Sequence, residues 1–296
     1  MNVFGHVISM PQLFGQLLIG LINGSFYALL SLGLAVIFGM LNIVNFAHGA
    51  FYMMGAFAAY FLLHWAGLNY WWALLLSPLA IGAIGAVVEL VFLKRIAGFD
   101  PLYGLLLTFG LALIIQGLFQ NYFGASGLPY AIPNQLGGAY NLGFMFLPVY
   151  RGWVILASMA VCFGTWLAIE KTKLGAYLRA GTENPTMVRA FGINVPRMIT
   201  LTYGFGVSLA AFAGVLTAPI NQVRPGMGAD IIAVVFAVVV IGGMGSIMGS
   251  IVTGFVLGVV EGLTKVFYPE ASNTVVFVIM AIVLLVRPAG LFGRAV

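Results

Sequence analysis

Leu13–Met40 reads LFGQLLIGLINGSFYALLSLGLAVIFGM, 28 residues without one charged side chain. At about 1.5 Å of rise per residue, roughly 20 apolar residues carry a helix across the hydrocarbon of a bilayer. This stretch exceeds that length, so it spans with tilt or a kink. Composition says the same of the whole chain. Its 296 residues include 12 Lys plus Arg and 7 Asp plus Glu, or 6% charged, where a soluble domain carries about 25%. Hydrophobic residues make up 62%. Such a chain cannot clothe a water-facing surface, which excludes a soluble enzyme, a nucleic-acid binder and a disordered chain. The fold class is all-α, a polytopic transmembrane helical bundle with the lipid bilayer as its solvent.

Working outward from Leu13–Met40, further apolar stretches run over Phe46–Trp65, Trp71–Leu93, Tyr103–Tyr122, Gly152–Ile169 and Met198–Val223. Two more, Ile231–Gly243 and Ile251–Phe267, flank a Gly-Met-Gly-Ser turn, and Val275–Val286 runs into Arg287-Pro288. Basic residues close to span ends face the cytoplasm. Lys94/Arg95, Lys171–Arg197 and Arg287/Arg294 share that side if Asp230–Gly243 crosses as its own short span. That gives nine segments with the N-terminus outside. A re-entrant Asn42–Trp65 instead leaves eight crossings and both termini inside. The expectation is therefore one transmembrane domain over residues 1–296, with about 8–9 membrane segments, some broken or re-entrant. The first dozen residues lack Lys and Arg, unlike a cleavable signal peptide, so the first helix is expected to stay.

No nucleotide-binding, zinc-protease, nucleophile-elbow or Cys-x-x-Cys motif occurs. The one cysteine, Cys162, excludes an intrachain disulfide and reads as a small core residue. No catalytic residue, metal site or cofactor is expected. Carboxylates in mid-span mark ion-coupled carriers, because burying them is costly. Here Glu89 lies one turn above Lys94-Arg95, Glu261 lies four residues before Lys265, and Asp230 precedes a helix it is placed to cap. They read as end-of-span structural charges rather than a proton relay.

Three features stand out from the apolar background. Gly242, Ser246, Ser250, Gly254, Gly258 and Gly262 recur at every fourth residue. On one helix they form a small-residue stripe, with Gly254, Gly258 and Gly262 as its surest part. It serves close packing within the chain or against another subunit, unless the helix breaks at Gly242–Gly245. Next, Asn42-Ile-Val-Asn-Phe-Ala-His-Gly49 interrupts apolar sequence with two amides and an imidazole, beside a helix containing Asn23. Non-helical backbone at membrane depth is tolerated when buried in protein or lining a water-filled cavity. Asn23, Asn45 and His48 are thus candidates for a translocation pathway, or else Asn45 and His48 cap the following helix. Last, the loop 170–197 holds seven charges, Glu170, Lys171, Lys173, Arg179, Glu183, Arg189 and Arg197. Within it, Asn184 followed by Pro185 reads as N-cap and first helical residue, and Gly192 as the residue just past the end. The result is a brief capped helix, with Met187, Val188 and Phe191 as an apolar face beside Arg179, Glu183 and Arg189. It is either a docking knob for a cytosolic partner or a solvated turn.

These residues resemble a known family. Gly20–Leu34, Asn42–Gly49 and Met54-Gly-Ala56 are similar to the permease subunits of branched-chain amino-acid ABC transporters. So are Leu178-Arg-Ala180, Gly192-Ile-Asn194, Ala213–Leu216, Gly242-Gly-Met-Gly-Ser246 and Arg287-Pro-Ala-Gly-Leu-Phe-Gly293. The landmarks run in order from about residue 13 to the C-terminus, and Phe123–Tyr150 carries none of them.

The resemblance implies a multi-pass protein of the bacterial inner membrane that is not itself an enzyme. It implies a homologous second permease, two cytosolic ABC ATPases and a periplasmic substrate-binding protein as partners. Asn184–Gly192 would be the coupling helix through which ATPase closure switches the pore by alternating access. The cargo would be branched-chain or other hydrophobic amino acids. A permease of the same type carrying urea, short amides or another amino acid stays open, as does a passive channel.

Overall fold

The computed structural model describes residues 2–3, 6–7, 9–143 and 145–293; Arg294, one of the topology markers above, lies outside them. The main helices are α1 (Met10–Leu41), α2 (Ala47–His64), α3 (Tyr70–Ile96), α4 (Pro101–Phe123), α5 (Val149–Glu170), α6 (Lys173–Glu183) and α7 (Pro185–Ala190). They continue as α8 (Val195–Asn221), α9 (Met227–Gly242), α10 (Ile247–Phe267) and α11 (Val275–Val286). Among the described residues, six helices are long and apolar enough to cross a membrane: α1, α3, α4, α5, α8 and α10. With α2 and the shorter apolar α9 and α11, every stretch anticipated as membrane segment is helical.

Helix ends follow local chemistry. Asn69, Asp100, Thr172, Asn184, Asn194 and Ser246 each accept a backbone N–H of the helix they open, and Pro101, Pro185 and Pro196 occupy first-turn positions where a missing N–H costs nothing. Asp230 differs from its expected capping role. It sits inside the first turn of α9 and pairs with Arg224 at 2.6 Å. The uncharged loop between α4 and α5 is also more ordered than its composition announces. Ala139–Asn141 pairs antiparallel with Phe146–Pro148, and the Asn141 side chain turns the chain by accepting from Gly143 N–H. Tyr130 in this loop is buried, which pushes its hydroxyl up to about 12 and keeps it protonated.

The chain divides into two compact units. One comprises residues 1–31, 132–162 and 234–296, and the other residues 32–131 and 163–233. In the first unit, α10 lies against α1 through small residues. A β-carbon on Gly254 would come within 2.6 Å of Ala28 backbone, one on Gly258 would strike Gly24, and one on Gly262 would strike Gln16 and Gly20. The every-fourth-residue stripe is divided, because Gly243 (φ +100°) and Gly245 (φ +81°) end α9 in a conformation that side chains resist. The C-terminal segment closes over that break. Leu291 and Phe292 donate backbone N–H bonds to Ile241 and Gly242 carbonyls, and Gly290 sits on Gly243 without room for a side chain. Apolar contact among Ala237, Val238, Ile241, Leu257 and Val276 fills the space between α9, α10 and α11.

In the second unit, α8 is the central element, packed against α2 and α3. Gly55 meets Ala211 backbone, Gly214 meets the Tyr52 carbonyl, and Gly82 meets Gly204. Lipid offers no hydrophobic incentive for helices to associate, so contact has to come from dispersion and hydrogen bonds at short range. Small residues make that range accessible.

A leucine at Gly258 therefore has to push α10 off α1. We expect Gly258→Leu to lose folded protein in detergent by roughly 1–3 kcal/mol or more, the usual scale of overpacking. Gly110→Ala, where an added β-carbon meets nothing within 4 Å, should leave the melting temperature unchanged.

Candidate functional site

The polar segment after α1 is a true interruption of helix. Asn42 adopts a left-handed conformation (φ +52°), which asparagine tolerates better than most residues, and helix resumes only at Ala47. The backbone freed there is satisfied from α4. The Thr108 hydroxyl accepts from Phe46 N–H at 3.2 Å and lies 3.3 Å from the Val44 carbonyl and 3.1 Å from that of Leu105. One turn earlier, Gly104 leaves room for Ile43, whose side chain would lie 2.6 Å from any β-carbon there. Thr108 is fully buried. Nothing in the sequence singles it out, because one threonine in an apolar helix carries no pattern.

Asn45 and His48 are both buried. Neither caps α2 with its side chain, since Phe46 holds the cap position without such a bond. Instead the Asn45 amide donates to the Tyr203 hydroxyl on α8 at 3.0 Å, and its backbone carbonyl accepts His48 N–H. The His48 imidazole rests where α1 passes α8, with Cε1 2.9 Å from a β-carbon placed on Gly33. Asn45, His48, Thr108 and Tyr203 thus share the second unit. Asn23 is half-buried on α1 and belongs to the first.

The charged loop holds two helices where one was anticipated. Thr172 caps α6, and Gly175 presses so closely on the Ile169 carbonyl that no side chain fits, which lets α6 fold back directly after α5. Asn184 then caps α7, its side chain accepting from Met187 N–H at 3.0 Å. Gly192 (φ +83°) ends α7 with its N–H on the Arg189 carbonyl at 2.9 Å. The apolar face differs in one residue from expectation. Met187 and Phe191 are exposed, Phe191 at 82%, whereas Val188 turns inward. Leu174 and Tyr177 of α6 are exposed as well. Arg179, Glu183 and Arg189 all face solvent, with Arg179 engaged to Glu170 at 3.4 Å.

Two carboxylates lie deeper than this loop. Glu261 is buried, accepting from Tyr27 at 2.6 Å and pairing with Lys265 at 2.5 Å, the ion pair its spacing implied. Glu89 is buried too, yet its partner is the Thr200 hydroxyl at 2.6 Å, and Lys94 and Arg95 point to solvent. Among the described residues, no three His, Cys, Asp or Glu side chains gather in a way that could hold a metal ion.

Residues 16–286 match the family described as branched-chain amino acid transport system, permease component. The chain belongs to that family. It is 31% identical to the high-affinity branched-chain amino acid transport system permease protein BraD of Pseudomonas aeruginosa, over 96% of this chain and 98% of BraD. It is 28% identical to LivH of Escherichia coli K12, covering 94% of this chain and 95% of LivH. LivM of the same bacterium, also a permease protein of that transport system, is 28% identical over 90% of this chain and 67% of its own length. No solved structure matches significantly. The chain is accordingly a multi-pass membrane permease component rather than an enzyme.

Replacing Thr108 by valine strands the Phe46 N–H in a dry interior. An orphaned buried donor costs about 1–3 kcal/mol. Thr108→Val should lower the melting temperature and speed proteolysis or hydrogen exchange at residues 42–46, whereas Thr182→Val, on exposed α6, should do neither.

Proposed function

We propose that this permease is a membrane subunit of an ATP-driven ABC importer in the bacterial inner membrane, carrying branched-chain or other hydrophobic amino acids by alternating access. Its partners are a homologous second permease, two cytosolic ABC ATPases and a periplasmic substrate-binding protein. The observation that carries this reading is the near full-length match to BraD and LivH, and the match to LivM supports a pairing of two related permeases. The residues 1–296 act as a single transmembrane domain in this reading, although their described part packs as two units.

Asn184–Gly192 is the coupling element. Caps at both ends fix a two-turn helix, and Met187 and Phe191 project from it into solvent. Large exposed apolar side chains beside Glu183 and Arg189 suit a cleft on an ATPase, where an aromatic anchor supplies much of the binding energy. ATP hydrolysis on that subunit moves α6 and α7. No mid-span ion relay is then required, in keeping with the pairing of Glu261 to Lys265.

The pathway borders the interruption at Asn42–Phe46, with Asn45 and His48 of the second unit as its polar residues, and Asn23 of the first unit is proposed separately as a pathway residue. In the present conformation Asn45 and His48 are sealed from water. Alternating access requires their surroundings to open on switching.

In proteoliposomes containing the assembled transporter, Arg189→Glu and Glu183→Lys should lower leucine uptake on the order of tenfold or more, the scale on which removing an interface anchor acts, while membrane insertion is unchanged. Full uptake by both variants would remove the coupling assignment. Uptake that persists without ATP or partners would establish a channel. His48→Leu should slow transport, and an unaltered rate would confine His48 to packing.

A further inference from the structure

From its start just after α7, α8 carries an unbroken series of contacts. Asn194 caps α8 by accepting Arg197 N–H at 3.1 Å. Thr200 in the second turn donates to Glu89 at 2.6 Å. Tyr203, three residues on, holds the Asn45 amide at 3.0 Å. Gly206, three further, meets the Gly33 carbonyl, the point on α1 where His48 also rests. Residues three apart are neighbours on a helix surface, so the contacts at Thr200, Tyr203 and Gly206 wind along adjoining sides of α8, by about 60° a step, from the charged loop to the interruption after α1.

Glu89 is the unexpected member of this series. It opens a π-turn at Glu89–Leu93 inside α3, where Lys94 N–H reaches back five residues to the Glu89 carbonyl. Such single wide turns are frequent at functional sites. The carboxylate is 3% exposed and forms no salt bridge among the described residues. A buried carboxylate held by one neutral hydroxyl is costly, which calls for a functional reason. Its neighbours along α3 have already joined that helix to α8. Gly82 meets the Gly204 carbonyl and Gly85 the Val207 side chain, each with no space for a β-carbon. The Glu89–Thr200 bond therefore completes a tight α3–α8 pair at the end nearest α7.

We propose that Glu89 is a positioning residue of the transport cycle. Its bond to Thr200 ties the π-turn of α3 to the start of α8, so that a displacement of α6–α7 moves both helices as one body and reaches the Asn45–Tyr203 pair. Without the bond, the start of α8 shifts alone and the movement dissipates in the wide turn. The inference rests on the coupling role proposed for Asn184–Gly192.

The test uses the fully assembled transporter in proteoliposomes, with substrate uptake and ATP hydrolysis measured on the same preparation. Glu89→Leu and Thr200→Val should retain assembly and hydrolyse ATP within about twofold of the parent, while uptake per ATP falls about tenfold, within the usual range of coupling between two sites. Glu89→Gln keeps an oxygen to accept from Thr200 and should restore most of that ratio. The double variant should be no worse than either single one, as expected for partners in one bond. Uptake per ATP unchanged in both single variants overturns the proposal, as does an additive double variant. Failure of the underlying reading looks different: Arg189→Glu would leave hydrolysis and uptake intact, or the parent transporter would take up substrate without ATP.

Discussion

Backbone-to-backbone contact at small residues is the interaction on which the rest of this structure depends. A chain with so few charges lives in lipid, where apolar side chains are equally content facing the solvent or each other. Association must then come from short-range contact, and the glycines on the packed helix faces supply it. Gly254, Gly258 and Gly262 seat α10 on Gly20, Gly24 and Ala28 of α1, while Gly55, Gly82 and Gly214 seat α2 and α3 on α8. Larger residues at these points would separate the helices and, with them, the hydrogen bonds that operate only at such distances. The Glu89–Thr200 and Asn45–Tyr203 bonds exist because glycine has already brought α2 and α3 against α8.

The second requirement in lipid is that interrupted helices find partners for their freed backbone groups. The chain meets it differently at its two main interruptions. After α1, one buried hydroxyl, Thr108, serves Phe46 and Val44 together. Between α9 and α10, the C-terminal segment supplies main-chain bonds from Leu291 and Phe292. Each interruption is thereby held in one geometry instead of fraying.

Much of the architecture is legible in the sequence. Lengths of predominantly apolar residues mark every membrane segment, because a bilayer imposes a minimum apolar length that few other environments demand. Asn184-Pro185 and Gly192 mark α7, since capping and left-handed backbone select those residues almost irrespective of context. The Glu261–Lys265 pair follows from a four-residue spacing. Less legible are α6, the hairpin at Ala139–Pro148 and the inward turn of Val188, which depend on what lies against them. Glu89 belongs with these. Proximity in sequence points to Lys94 and Arg95, yet the partner lies 111 residues away in sequence on α8.

The sequence by itself determined that the chain spans a membrane repeatedly, where its apolar segments lie, which loop carries the charge, and which family it resembles. These properties arise from local chemistry: hydrocarbon thickness, capping, and the backbone freedom of glycine. Only the tertiary structure decided that Gly242–Ser246 and Arg287–Gly293, 45 residues apart at their starts, are two halves of one contact. It also decided that Thr108 closes the interruption after α1, and that contacts along α8 run from the charged loop to Asn45. Those pairings are set by which small residues let two backbones meet, and no single stretch of chain contains both sides of that fit.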